Sequence, residues 1–188
     1  MKTALFVLVI ALAASLSSCS SKVKEERLTR IDSLGIHLNH VQDVLKSVDS
    51  VALENWSSEI SRNEVWVWDN LTDTLEPQPG IIAGDYFRTK KFTGKVLGRY
   101  GQVKKEVGYA QTQLATLRED VKNSFYSEEE FHAFFNAEAE AMDKLVKAGD
   151  ELESASGSVF ERYKLIKPRF EHILDSIKTH IYGDKPAL

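Results

Sequence analysis

The feature that most constrains this chain is an apolar residue at every third or fourth position, kept up over most of its length. Ile31, Leu34, Leu38, Val41, Leu45 and Val48 advance in steps of 3 and 4. Val96, Tyr100, Val103, Val107, Ala110, Leu114, Leu117 and Val121 do the same, as do Phe131, Phe134, Glu138, Ala141, Leu145, Ala148, Leu152 and Ala155. Phe160, Tyr163, Ile166, Phe170, Ile173 and Ile177 form a last set. Such spacing puts apolar side chains on one stripe of a helix that needs a partner to cover it. The reading is all-α: an elongated antiparallel helical bundle of four main helices.

Breaks are few because breakers are few. The 188 residues include 10 glycines and 4 prolines, most of them between residues 77 and 108. Glu76-Pro77-Gln78-Pro79-Gly80 is the strongest break, and a loop is expected over about 76–85. Trp56, Ile60, Val67 and Leu71 continue a helical face, with a break expected at Ser57-Ser58 or Arg62-Asn63. Val65-Trp66-Val67-Trp68 also suits a strand, so 57–75 stays open between helix and irregular chain. Ser127 with Glu130 predicts a capping box opening the third helix. Ser154-Ala155-Ser156-Gly157-Ser158 reads as a turn before the fourth, which Pro168 should kink.

The first nineteen residues differ in kind. Lys2 is followed by the apolar run Thr3–Ala14 and then by mostly small residues up to Cys19. That is the anatomy of an export signal, and the run is shorter than the roughly 20 residues a membrane-spanning helix needs. Leu16-Ser17-Ser18-Cys19 resembles the lipobox of bacterial lipoproteins. The resemblance covers about a tenth of the chain. It implies cleavage between Ser18 and Cys19, diacylglycerol on the Cys19 thiol, and a further acyl chain such as palmitate on its amine. One acyl chain holds a membrane marginally, whereas two or three hold it stably.

The resemblance further implies a membrane partner through that anchor and a place in the cell envelope. Ser20 is similar to the second residue of lipoproteins sent to the outer membrane. Lys24-Glu25-Glu26 loosely resembles the acidic run of surface-displayed lipoproteins of the Bacteroidetes type. Orientation, periplasmic or surface-facing, stays open. The expected organisation is a signal peptide over 1–18, a tether over 19–26, a helical bundle over 27–182 and a tail over 183–188.

Composition narrows the function classes. Cys19 is the single cysteine, so no intramolecular disulfide staples the fold. Net charge is −4, and −5 once Lys2 is cut away, which gives no global attraction to nucleic acid. Charge is uneven, however. Arg88, Lys90, Lys91, Lys95, Arg99, Lys104 and Lys105 fall within 86–105 without an acid, while 127–153 is acidic.

Arg88, Lys91, Lys95 and Arg99 form a candidate patch for an anionic cell-wall or glycan partner, with Tyr86, Phe87, Phe92 and Tyr100 interleaved. Alternatively the helices answer each other. Antiparallel pairing through a turn near residue 125 brings Lys95 and Arg99 toward Asp150–Glu153, in pairs worth about 0–1 kcal/mol each.

Gly94, Gly98, Gly101 and Gly108 share a helical face, which implies either close packing or partly looped chain. Glu138, at an apolar position, has a raised pKa if buried. Trp66 and Trp68 read as a contact patch, or as one core and one capping residue.

No catalytic constellation emerges, and no cofactor or metal is expected. Glu129 and His132 have the Glu-x-x-His spacing of di-iron bundles, but no second pair exists, and nothing completes a set around His37 and His40. The expectation is a non-enzymatic, membrane-anchored binding or scaffolding module, with binding on the second long helix or on segment 63–85. The alternative is a metal- or cofactor-binding bundle with redox activity. Oligomeric state is not legible.

Overall fold

A computed structural model describes residues 2–71 and 74–183. Side chains before Ser21, Ser18 and Cys19 among them, lie outside the described residues, as does the tail from 184. Four α-helices run in order: α1 (Lys2–Ser47), α2 (Ser50–Asn70), α3 (Pro77–Lys122) and α4 (Glu128–Tyr182). The protein is an all-α helical bundle, as the stripes of apolar residues predict.

The chain forms two compact units, Met1–Asp43 with Lys105–Lys147, and Val44–Lys104 with Ala148–Leu188. In the first unit α1 packs with the later part of α3 and the start of α4. Ile31, Leu34, Leu38 and Val41 are buried in it, as are Val107, Leu114, Leu117 and Val121 of α3 and Phe131, Phe135, Met142 and Leu145 of α4. In the second unit α2 packs with the early part of α3 and the later part of α4. Its core joins Ile60, Val67, Ala83, Tyr86, Tyr163, Ile166, Phe170 and Leu174.

The helix boundaries depart from the sequence expectations at three places. The break after the first stripe lies at Val48-Asp49, not at Ser57-Ser58 or Arg62-Asn63. Asp49 caps α2 by accepting from the Ala52 N–H at 2.9 Å, a strong start signal. The serines beyond it are absorbed into the helix, where Ser61 donates to the Ser57 carbonyl. Residues 57–70 are therefore helical.

The proline-rich loop expected over 76–85 is mostly the start of α3. Pro77, Gln78 and Pro79 take the first helical positions, where no intrahelical N–H is required. The first bond of the helix is the Gly80 N–H to the Glu76 carbonyl, 2.9 Å.

The turn expected at 154–158 does not exist. α4 passes through it, the Ser158 hydroxyl donates to the Ser154 carbonyl, and Ser156 is buried in the stripe. The third and fourth expected helices are one helix of 55 residues, with Pro168 inside it.

The stripe of α4 also takes a different register. Phe135, Met142, Gly149 and Ser156 are buried, whereas Phe134 and Ala141 are exposed. The buried set continues through Val159, Tyr163, Ile166, Phe170, Ile173 and Ile177 without a break in spacing. In α1 likewise Val44, not Leu45, is the fully buried residue.

α3 and α4 are joined by a tight reversal. Ser124 takes a left-handed conformation (φ 59°), and the Phe125 N–H reaches back to the Asp120 carbonyl at 3.0 Å. This pattern closes the C-terminus of α3. The capping box opens α4: the Glu130 N–H donates to the Ser127 hydroxyl at 3.3 Å and the Ser127 N–H to the Glu130 carboxylate at 2.9 Å.

The glycines of α3 fit neither expected role. All lie in continuous helix, and a Cβ built on Gly94, Gly98, Gly101 or Gly108 meets nothing within 4 Å. Alanine is better in a helix by about 1 kcal/mol per site. Gly94, Gly101 and Gly108 replaced together by alanine should therefore stabilise the protein by about 2–3 kcal/mol. The melting temperature should rise by about 4–12 °C, as thermal denaturation followed by circular dichroism would show.

Candidate functional site

A groove of about 630 Å³ lies between α3 and α4 in the second unit. Phe92, Lys95, Val96, Gly98, Arg99 and Gln102 line it from α3, and Ala155, Ser158, Val159 and Arg162 from α4. The helical repeat explains the α3 wall: positions 92, 95, 96, 99 and 102 are related by spacings of three and four (92/95, 92/96, 95/99, 96/99, 99/102) and share a face. Lys95, Arg99 and Arg162 supply three cations, and no acidic side chain is among the lining residues.

Two of those cations have partners at the rim. Arg99 reaches Glu151 at 3.2 Å, which is the cross-helix pairing expected from the charge pattern. Arg162 donates to Asp85 at 3.2 Å and lies over the Phe92 ring, 5.1 Å from its centroid. Its Nε is buried and, among the described residues, without an acceptor. Lys95 is exposed and meets no acidic partner among the described residues.

Of the four predicted patch residues, the groove thus brings together Lys95 and Arg99. Arg88 and Lys91 are exposed outside it, and Arg88 pairs with Asp85 at 3.4 Å. Arg162 was not foreseen. It stands 63 positions after Arg99 in sequence, and only the α3–α4 pairing makes them neighbours.

Of the aromatic residues near the patch, Tyr86 and Phe87 belong with the core, and Tyr100 is half-buried outside the groove lining. Tyr86 is buried and stacks on Phe170 with ring centroids 4.0 Å apart, and Phe87 meets the same ring edge-on. Only Phe92 faces the groove. Trp66 packs against the core with the Lys178 ammonium over its ring, while Trp68 is 75% exposed.

A polar cluster also sits in this unit. The Glu59 carboxylate accepts from the Tyr163 hydroxyl at 2.9 Å, the Lys167 ammonium at 3.0 Å and the Tyr86 hydroxyl at 3.2 Å. Asn63 donates to the Tyr86 oxygen at 3.0 Å. Burial pushes the Glu59 carboxyl up, but the bonds from Lys167 and Tyr163 and the Lys167 charge outweigh it and hold its pKa below the usual value. Burial, with Glu59 beside them, raises both tyrosines. They stay protonated donors.

A carboxylate with a depressed pKa stabilises the fold above its unfolded pKa, and that contribution vanishes as pH falls through the folded value. Acidification from neutral to about pH 3 should accordingly cost the native protein more stability than it costs Glu59→Gln. Urea midpoints at the two pH values measure the difference.

The other ionisable candidates stand apart. Glu138 is half-buried in the first unit, and desolvation raises its pKa. His132 pairs with Glu128 at 2.9 Å and with Arg30 at 3.3 Å, while Glu129 is exposed. His37 and His40 are exposed on α1. Among the described residues no group of three or more His, Cys, Asp or Glu side chains could hold a metal ion, and no helix is long and apolar enough to cross a membrane. No family of known proteins, no curated protein and no solved structure matches the chain.

Proposed function

We propose that the protein is a lipid-anchored component of the cell envelope whose helical bundle is a non-enzymatic binding module for an anionic envelope ligand. The observation that carries the binding part is the groove with Lys95, Arg99 and Arg162 along it and no acid in its lining. Cations beside low-dielectric apolar walls attract anions more strongly than the same charges on a fully solvated face. Lys95, without an acidic partner among the described residues, is free to meet a ligand.

The anchoring part rests on the lipobox residues Leu16-Ser17-Ser18-Cys19. Ser20 supports the outer membrane as the destination. The partners are then the membrane, through the lipid, and an anionic envelope component at the groove.

An anionic naphthalene-sulfonate dye, fluorescent when it enters an apolar site, tests the groove. It should bind the native protein, and binding should weaken as salt rises. Lys95→Glu combined with Arg99→Glu should weaken it by about tenfold or more, as loss of two charge-assisted contacts implies. Equal affinity in the double variant would show that the groove is not an anion site.

A further inference from the structure

We infer that the groove takes a single-chain anionic amphiphile, a fatty carboxylate, with its head at Lys95 and Arg99 and its chain along Phe92, Val96 and Val159. This rests on the anion-site reading and adds the tail.

The volume of about 630 Å³ suits a small molecule rather than a polymer segment. The floor is apolar: Phe92 and Val96 come from α3, and Val159 comes from α4. A glycan or cell-wall polymer would present many hydroxyl protons, and each needs an acceptor, which Lys and Arg side chains do not provide. Gln102 and Ser158 are the only uncharged polar side chains in the lining. Lys95 and Arg99 beside an apolar strip match one anionic head and one hydrocarbon chain.

Arg162 commits one Nη to Asp85 and lies over the Phe92 ring, so it flanks the far end of the chain and not the head. Gly98 lines the groove, and a Cβ there would meet nothing within 4 Å. A large side chain there would enter the space assigned to the ligand, so the position serves to block the groove.

The test displaces the naphthalene-sulfonate dye from the full mature protein with octanoate, decanoate and dodecanoate. Affinity should rise about two- to fourfold per added methylene, the increment of burying each in an apolar site. Dodecanol and dodecyltrimethylammonium should bind at least tenfold more weakly than dodecanoate.

Gly98→Phe, which fills the groove from a position with open space around it, should weaken dodecanoate at least tenfold with helical content and melting temperature retained. Lys95→Glu should do the same through charge. Charge-sensitive dye binding with no dependence on chain length would overturn the amphiphile and leave the anion site standing. Chain-length dependence that ignores both variants would place the lipid elsewhere and overturn the inference.

Discussion

Phe170→Ala is expected to lower the unfolding free energy by about 3–5 kcal/mol, the usual range for removing a fully buried aromatic ring. The cause is specific. Phe170 is fully buried in α4, and its ring stacks on Tyr86 of α3 with an interplanar angle of 6°. Phe87 meets it edge-on at 5.3 Å.

Alanine removes the face against which Tyr86 packs. Tyr86 in turn donates to Glu59 and accepts from Asn63, both on α2. One deletion thus loosens the joint where three helices of the second unit meet. Phe170→Leu keeps much of the volume and should cost less than half as much. Equilibrium urea unfolding of the two variants reads both effects, and equal small losses would mean that the ring stack is not the centre of this core.

The second large effect lies at Gly157. The residue is interior to α4, and a Cβ there meets nothing within 4 Å. Gly157→Pro should destabilise by at least about 3 kcal/mol, because proline removes a helical donor and collides with the preceding turn. Gly157→Ala should stabilise by about 1 kcal/mol. A turn at 154–158 would reverse the expectation: proline would be tolerated, and alanine would gain nothing. Paired thermal melts of the two variants separate a continuous α4 from two helices.

These residues also show what was legible in the sequence. The apolar stripes are a direct consequence of helical geometry, so the all-α class could be read from spacing alone. Boundaries could not. Ser154–Ser158 has turn composition, but α4 runs through it and the Ser158 hydroxyl bonds to the carbonyl four residues back. Pro77 and Pro79 read as breakers, yet proline is tolerated where no helical N–H is needed.

Register in α4 was ambiguous because Phe134 and Phe135 are adjacent, as are Ala141 and Met142. Either set repeats at the helical period, and only tertiary packing chooses between them. Lys95 and Arg99 were visible as one basic face of a helix. Arg162 was not, since its place beside them depends on the pairing of distant segments.

The most direct measurement of the central claim is the intact mass of the N-terminal peptide of protein isolated from its native cells. A peptide that begins at Cys19 and carries diacylglycerol with a further acyl group is the predicted result. A bare Cys19 thiol, or a chain still starting at Met1, would contradict it.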